Sequence, residues 1–340
     1  MSPSDTDLHG VLVIDKPKGP TSHDVVLRVR RRLGVRKAGH TGTLDPMATG
    51  VLPVVVGEAT KLVPLLMEGD KAYEAEATLG IETDTLDAEG RVVATTPAAA
   101  WPTDRAAVER AVADLAGRRV QRPPAFSAAK VGGRPLHERA RAGEAAEGAP
   151  REVVVHEAAL TGFEPAEGDR PPRVRFRVTC SKGTYVRVLA ADLGRALGSG
   201  AHLSALRRTR SGPFGLERAV PLEALDSEAG RARALAALVP PEVAIGHIPA
   251  VSLGAAEAAR LAHGQAVPLP ADQSSAHLSI GTLVRVSGPG RPLLALAEVR
   301  PGPGGRPVLS PTRVFAHADG RNPPTRRGFT RGGRSGTRER

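Results

Sequence analysis

The sequence predicts an α+β protein made of two units, and its pattern of apolar residues is the basis for this prediction. Short runs rich in β-branched and apolar residues, at 11–15, 51–56, 72–79 and 173–180, are typical of strands. Segments with apolar residues at helical spacing, such as 22–33, lie between such runs. Beyond the composition shift at 240–249, further short strands are separated by Gly-Pro turns, which indicates a second, β-rich unit.

The limits of these units follow from the same composition shifts. We expect a flexible start over residues 1–9, a first unit over 10–245 and a small β-rich unit over 247–316. Within the first unit, residues 121–143 are rich in Pro, Gly, Arg and Lys, which is typical of a projecting segment that grips a ligand, and 144–150 is a small, polar tip of it. The end of the chain, 317–340, has seven arginines against two acidic residues, and this composition predicts a disordered polycation.

Charge and cysteine content limit the possible partners and compartments. The net charge of +11 over 340 residues favours a polyanionic partner, most often a nucleic acid, although charge alone does not separate RNA from DNA or from an acidic membrane surface. The single cysteine, Cys180, excludes an internal disulfide and fits a reducing cytosol. No apolar run is long enough to span a bilayer and the start lacks a signal-peptide pattern, so we expect a cytoplasmic protein.

Metal and nucleotide cofactors are not expected. The ten histidines show no metal-ligand spacing, and one cysteine cannot build a thiolate site. Neither Gly-Lys-Ser/Thr after a glycine-rich loop nor GxGxxG is present. The sequence therefore predicts no metal and no cofactor.

One aspartate stands in an unusual setting. Asp45 lies among small residues in KAGHTGTLDPMATGVLPVVV, residues 37–56, just before an apolar run that is typical of a buried strand. Pro46 fixes the backbone after it and biases Asp45 itself towards an extended conformation. Asp45 is thus expected to be a carboxylate held on a rigid loop beside the core, and the alternative is a turn aspartate bonded to its own backbone.

Two basic positions are expected to have partners. Arg187 falls in the first turn of a predicted helix, where the helix dipole disfavours a cation, so we expect a carboxylate from elsewhere to hold it. Arg207 belongs to a basic triplet with Arg208 and Arg210, and we place it among the substrate-binding residues.

Ser22 is the expected N-cap of the first helix.

A carboxylate on a basic, cofactor-free protein suits two chemistries. It can attack the anomeric centre of a sugar, as in glycoside hydrolysis. It can also serve base-exchange reactions in nucleic acids, for which the target nucleotide must first be flipped out.

Several blocks resemble one family. GHTGTLDPMATGVLPVVVGEATKL, at 39–62, is similar to the signature of the bacterial tRNA pseudouridine synthases of the TruB family, which convert the T-loop uridine of tRNA to pseudouridine. VLVIDKPKGPTS, KAYEAEATLG, CSKGTYVRVLAADLG and GAHLSALRRTRSGPF resemble the flanking blocks in order and spacing, over about 10–214. The resemblance implies a mixed, mainly antiparallel pseudouridine-synthase sheet flanked by helices, an RNA-gripping insertion at 121–150 and a PUA-like domain at 247–316.

The resemblance also implies catalytic residues. Asp45 matches the essential aspartate, expected to act as nucleophile, and Arg187 matches the arginine that pairs with it and keeps it ionised. Tyr73 matches the tyrosine that stacks on the target base and is a candidate for taking up the C5 proton. Whether Asp45 attacks C1′, attacks the base or removes a sugar proton stays open.

Further substrate-binding residues are implied in the same way. Tyr185 and Leu206 match residues that line the uracil pocket, and His40 matches a histidine that enters the T loop as the base leaves. Lys16 matches a basic residue near the active cleft, and Asp87 an acidic position that can share Arg187.

The resulting prediction is a stand-alone monomeric synthase that acts on the T arm of tRNA, with no cofactor, no membrane and no obligate protein partner. One alternative is a non-catalytic chaperone that folds tRNA, and a second is an RNA-guided synthase that acts on ribosomal RNA. The third is a glycosidase on free nucleosides, which the basic composition disfavours.

Overall fold

The structure is a computed structural model that describes residues 8–271 and 277–315. The predicted disordered end, 317–340, and residues 1–7 of the predicted flexible start lie outside these residues. The chain divides into two compact units, with the boundary between Ala244 and Ile245. The predicted α+β fold class is confirmed for the described residues.

The first part of the chain contributes four of the ten strands of the main sheet. Its elements are β1 (Gly10–Lys16), α1 (Ser22–Leu33), β2 (Ala38–His40), β3 (Thr49–Val56), α2 (Val63–Leu66), β4 (Lys71–Leu79), β5 (Ile81–Thr83), β6 (Val92–Thr95) and α3 (Arg105–Ala113). The four strands of the main sheet are β1 to β4.

The rest of the first unit adds the insertion and completes the sheet. Its elements are β7 (Gly117–Gln121), β8 (Lys130–Val131), β9 (Arg134–Pro135), α4 (Leu136–Arg141), β10 (Arg151–Glu164), β11 (Arg173–Cys180), α5 (Val186–Ala196), β12 (Ala201–Ser211), β13 (Phe214–Gly215), β14 (Val220–Pro221), α6 (Glu228–Ala236) and α7 (Pro241–Ala244). The insertion segment, residues 121–150, contains the β8–β9 hairpin and α4.

Among the described residues, ten strands form one mainly antiparallel sheet. Its main path is β14-β1-β3-β12-β4-β11-β10-β7, with β2 beside β3 and β13 beside β12. The pairings of β1 with β14 and of β3 with β12 are parallel. The parallel β3–β12 pairing brings the segment that precedes β3, which carries Asp45, next to β12.

The two faces of this sheet differ in chemistry. On β11, Val174, Phe176 and Val178 enter a continuous apolar core that also includes side chains of α1, α3 and α5. The alternate residues of β11 are arginines that face away from the core, as the period of two in a strand requires. We call this second side the outer face of the sheet.

Helix α1 begins one residue before its expected position. Thr21, not Ser22, is the N-cap, because Thr21 and Asp24 form a reciprocal capping box. Ser22 instead bonds the backbone of Leu44, with its Oγ 2.8 Å from the Leu44 nitrogen and 3.0 Å from the Leu44 oxygen. This serine therefore fixes the chain one residue before Asp45.

The second unit has its own core. Its elements are β15 (Ala250–Ser252), α8 (Ala255–Ala262), β16 (Val267–Pro268), β17 (Leu283–Gly288), β18 (Arg291–Pro301) and β19 (Pro307–Val314). The strands form one sheet in the order β15-β17-β18-β19-β16, and α8 contributes Ala258 and Leu261 to the apolar cluster. This unit is the expected β-rich C-terminal domain. No helix in the described part of either unit is long and apolar enough to cross a membrane.

Candidate active site

Asp45 lies on the loop between β2 and β3, residues 41–48, which we call the aspartate loop. Arg208 of β12 holds this loop and the strand that follows it: its Nε donates to the Val51 carbonyl at 2.7 Å, and its Nη2 donates to the Gly42 carbonyl at 3.1 Å. Gly50 has a φ of +98°, and a Cβ there would lie 2.2 Å from the Arg208 carbonyl oxygen. Only glycine permits this close approach of β3 to β12.

Lys16 supports the aspartate loop from below. It is fully buried, and its ammonium donates to the carbonyls of Ala48 at 2.7 Å, Pro17 at 3.0 Å and Pro46 at 3.1 Å. Burial lowers the pKa of Lys16 to about 8, against the opposing attraction of Asp45. Lys16 therefore fixes the turn after Asp45 from a position without access to solvent.

Arg187 joins two carboxylates. Its Nε lies 3.1 Å from Asp45 Oδ2, and its Nη1 lies 3.2 Å from Asp87 Oδ2. The guanidinium also donates to the Thr85 carbonyl at 2.9 Å and to the Phe126 carbonyl at 2.7 Å. The side chain of Arg187 is only 4% exposed, so its partners fix it in one orientation.

A left-handed turn prepares part of this arrangement. Leu86 has a φ of +62°, which is rare for a residue with a side chain. It lies between Thr85 and Asp87, both of which accept hydrogen bonds from Arg187. Asp87 is held in turn by the hydroxyl of Thr85 at 2.7 Å and the backbone N–H of Glu89 at 3.0 Å.

The surroundings of Asp45 alter its acidity. Burial raises the pKa of Asp45 above its usual value, Arg187 lowers it, the charge of Asp87 raises it, and Lys16 lowers it. The attraction of Arg187 was expected to govern this carboxylate, but removal from water is the larger effect and the net pKa is raised. The side chain keeps 35% of its surface exposed, so Asp45 is partly desolvated and still within reach of a ligand.

Asp45 faces a cleft of about 300 Å³ in the first unit. Tyr73 of β4 and Leu206 of β12 line it. Both side chains lie on the core face of the sheet, because Leu206 pairs with the core residue Ala75, and Tyr73 is two residues before Ala75 on the same strand. Burial raises the pKa of the Tyr73 phenol, and Arg208 opposes this shift. The cleft therefore offers a neutral aromatic ring and an aliphatic side chain beside a carboxylate.

Tyr185 forms another wall of the cleft, at the N-cap of α5. The Gln121 amide fixes its backbone on both sides: it accepts from the Tyr185 N–H at 2.9 Å and donates to the Tyr185 carbonyl at 3.3 Å. The guanidinium of Arg151 lies over the Tyr185 ring, 4.6 Å from its centroid, which is a cation–π distance.

Comparison with protein families decides the relationship. Residues 30–186 match the model of the TruB family pseudouridylate synthase N-terminal domain, and residues 187–243 match that of the tRNA pseudouridylate synthase B C-terminal domain. A protein of Aromatoleum aromaticum named tRNA pseudouridine synthase B is 48% identical over 307 residues, covering 90% of this chain and 92% of its own. The chain belongs to the TruB family.

Other relatives agree with this membership. A tRNA pseudouridine synthase B of Burkholderia pseudomallei is 46% identical and covers 90% of this chain and 97% of its own. Among solved structures, a Cbf5-Nop10-Gar1 complex contains a chain with a TM-score of 0.67 and 31% identity, covering 91% of this chain and 86% of its own. An archaeal box H/ACA sRNP Nop10-Cbf5 complex contains another, with a TM-score of 0.65, 28% identity and coverages of 91% and 87%. The fold described above is thus shared with chains of these two solved complexes.

The structure brings together most residues that the TruB resemblance singled out, but not all of them at the cleft. Asp45, Tyr73, Tyr185, Arg187 and Leu206 line it together. Asp87 lies behind Arg187 and is buried, so its contact is with the arginine and not with the cleft. Lys16, expected among the substrate-binding residues, is fully buried beneath the loop.

Arg207 and His40 also lie away from the cleft-lining residues. Arg207 forms a two-pronged pair with Asp15, at 3.0 Å and 2.8 Å, and pairs in register with Glu74 on the outer face. Arg207 lies on the outer face because neighbours in a strand point to opposite faces, and its neighbours Leu206 and Arg208 line the cleft. His40 lies on β2, where its Nδ1 accepts from the Gly42 N–H at 3.3 Å and burial lowers its pKa.

Several residues that line the cleft were not predicted as site residues, among them Arg208, Arg151 and Ser127. The period of two would have found Arg208, since it is two residues beyond Leu206 on the same strand. Nothing local indicates Arg151 or Ser127, because the long-range pairing of β10 and the path of the insertion segment place them there.

Proposed function

We propose that this chain converts the T-loop uridine of tRNA to pseudouridine. The observation that carries the proposal is the Asp45–Arg187 pair, joined at 3.1 Å, facing a cleft that is lined by Tyr73 and Leu206. Membership of the TruB family supports the same chemistry, and relatives at 46–48% identity are named for tRNA. The cleft volume of about 300 Å³ is far smaller than a base-paired helix needs, so in this proposal the target nucleotide enters it flipped out.

Base stacking is the first role that we assign. Flipping a nucleotide costs a few kcal/mol, and stacking on an aromatic ring returns about 1–3 kcal/mol per base. Tyr73 and Leu206 provide such a slot, and Tyr185 closes another side of it. Burial raises the pKa of the Tyr73 phenol, so the ring carries no charge at neutral pH and suits stacking on the base.

Asp45 assists the exchange of bonds. The N1–C1′ bond breaks, the uracil rotates and the C5–C1′ bond forms; C5 loses a proton and N1 gains one, so the product is an isomer of the substrate. Attack of Asp45 on C1′, attack on the base and removal of a sugar proton all require the ionised carboxylate. Arg187 favours this form, and Asp87 with the Thr85 and Phe126 carbonyls keeps Arg187 in place.

Other parts of the chain bind the RNA in this proposal. The net charge of +11 suits a polyanion, and the insertion segment reaches the cleft through Ser127 and Ala129. We assign the gripping of the T arm to this segment and RNA contacts to the PUA-like domain, and we propose that His40 enters the T loop. The protein acts as a monomer in the cytoplasm without an obligate protein partner.

An unmodified tRNA transcript tests this function. Purified protein with the transcript alone is expected to give pseudouridine at one T-loop position, located by chemical mapping. Since the solved neighbours in Cbf5 complexes are 28–31% identical, an RNA-guided activity is the second possibility, and absence of product without further components would favour it. Accelerated tRNA folding without any product would favour the chaperone.

A further inference from the structure

Two hydroxyl groups that line the cleft have no hydrogen-bond partner among the described residues. They are Thr41 Oγ1 and Ser127 Oγ. Ser127 differs in its origin, because it belongs to the insertion segment, whereas Thr41 is part of the aspartate loop. Only 4% of Ser127 is exposed, so water has little access to it.

The backbone around Ser127 is firmly held. The Phe126 carbonyl accepts from Arg187 Nη2 at 2.7 Å, which ties the preceding residue to the Asp45 partner. The Ser127 carbonyl lies 3.0 Å from the backbone nitrogen of His137 and 3.0 Å from its Nδ1. The carbonyls of Phe126 and Ser127 are therefore both engaged, whereas the buried Ser127 hydroxyl has no partner among the described residues and lines the same cleft as Asp45.

A buried hydroxyl without a partner is unfavourable in the free protein. Such a group is retained at no loss when a ligand supplies the missing bond, and a hydroxyl can both donate and accept. The ligand that fills this cleft in the proposed reaction is a uridine, which offers two base carbonyls and a ribose 2′-hydroxyl.

We propose that Ser127 Oγ hydrogen-bonds the flipped uridine, at a base carbonyl or at the ribose 2′-hydroxyl. This assignment rests on the proposed function and adds a substrate contact to it. It also gives the insertion segment a direct part in the cleft, since the same turn holds Arg187 through Phe126 and the nucleotide through Ser127.

The test compares two buried serines without partners. Ser211 Oγ is also unpartnered and buried, but Ser211 is not among the residues that line the cleft. We expect Ser127→Ala to lower kcat/KM on a T-arm hairpin about 5- to 10-fold, the worth of one hydrogen bond. Ser211→Ala is expected to keep the wild-type kcat/KM, and neither variant should lower Tm, because neither loses a bond in the free protein.

Substrate analogues locate the contact. Hairpins with 4-thiouridine, 2-thiouridine or 2′-deoxyuridine at the target each weaken or remove one of the three acceptor or donor groups. The Ser127→Ala loss should shrink to less than twofold on one of them and persist on the other two. The assignment of Ser127 would be overturned by a variant as active as wild type, by an equal loss on all three analogues, or by a lowered Tm. In each of these cases an active wild-type protein still upholds the proposed function. A wild-type protein that makes no pseudouridine in the hairpin would contradict both.

Discussion

Arginines face carboxylates in two regions of the first unit, the cleft that Asp45 faces and the outer face of the sheet. In the cleft, Arg187 is 4% exposed and contacts Asp45 and Asp87. On the outer face, Arg175 is 50% exposed and pairs with Glu76 and Glu164. Both arginines face two carboxylates, whereas the exposed fraction of the arginine side chain differs by about an order of magnitude.

This difference in burial sets what each group of charges does. Exposed ion pairs contribute about 0–1 kcal/mol each, because water screens them. In the cleft, partial burial raises the pKa of Asp45, and the Arg187 cation opposes this shift and holds the carboxylate in place. The properties of a charged side chain on this sheet therefore depend on the face on which it lies.

The largest effect is expected from Arg187→Ala. Without the cation, the charges of buried Asp87 and partly exposed Asp45 are left without their partner, and breaking such a network costs up to about 3–5 kcal/mol of unfolding free energy. We expect kcat to fall at least about 1000-fold, as when a preorganised charge is removed from an active site. Single-turnover kinetics and urea unfolding measure the two losses.

Arg175→Ala is the matched control for that change. It removes an arginine from ion pairs on the outer face, so unfolding free energy should fall by less than about 1 kcal/mol and kcat should stay within twofold. Equal losses in the two variants would contradict the contrast between the faces.

Neighbouring arginines on β12 sharpen the comparison. Arg208 donates to the carbonyls of Val51 and Gly42, whereas Arg207 pairs with Asp15 on the outer face. Arg208→Met leaves buried carbonyls without donors and frees the aspartate loop, so we expect kcat to fall about 100-fold. Arg207→Met should change kcat less than threefold. A larger loss of kcat in Arg207→Met than in Arg208→Met would contradict the assignment of the cleft to the Arg208 side of β12.

Asp87→Asn tests the balance of charges on Asp45. The charge of Asp87 raises the pKa of Asp45, so its removal lowers that pKa and moves the acidic limb of the kcat profile to lower pH. We expect kcat on the plateau to fall about 10-fold, because Arg187 loses one of its fixing partners. Asp15→Asn, which removes the partner of Arg207, should leave the limb in place, and a shift to higher pH in Asp87→Asn would contradict the assignment.

The smallest effect is expected from Glu164→Gln on the outer face. It breaks the pair with Arg175, and the loss in unfolding free energy should stay below about 1 kcal/mol and shrink further at high salt. A loss that grows with salt would contradict an exposed, screened pair.

Local patterns carried much of the fold. The period of two in 173–180 predicted a strand, and this segment is β11. The apolar spacing of 22–33 predicted a helix, and this segment is α1, with Gly34 as its left-handed C-cap. The dipole argument required a carboxylate partner for Arg187, and the structure supplies two. The N-cap of α1 was misplaced by one residue, because both Thr21 and Ser22 are good caps and the tertiary contact of Ser22 with Leu44 decided between them.

Contacts between distant elements explain the rest. Arg207 was preferred to Arg208 as a ligand residue, and only the register of β12 against β4 shows which of them lies on the cleft side. Lys16 and Asp87 belong to blocks that resemble the family. Their burial, Lys16 beneath the aspartate loop and Asp87 behind Arg187, results from packing between distant segments, which the sequence does not show. The net pKa of Asp45 likewise depends on desolvation, to which a sequence pattern gives no access.

The most direct test of the account is the pair of measurements on Asp45→Asn, pseudouridine formation in an unmodified tRNA transcript and Tm at neutral pH. The folded state raises the pKa of Asp45, so ionised Asp45 lowers the free energy of unfolding above that pKa, and this cost fades as the pH falls towards the usual value. We therefore predict no pseudouridine above background together with a Tm equal to or above that of the wild type. Pseudouridine formed by Asp45→Asn at the wild-type rate would contradict the central claim that this carboxylate does the chemistry.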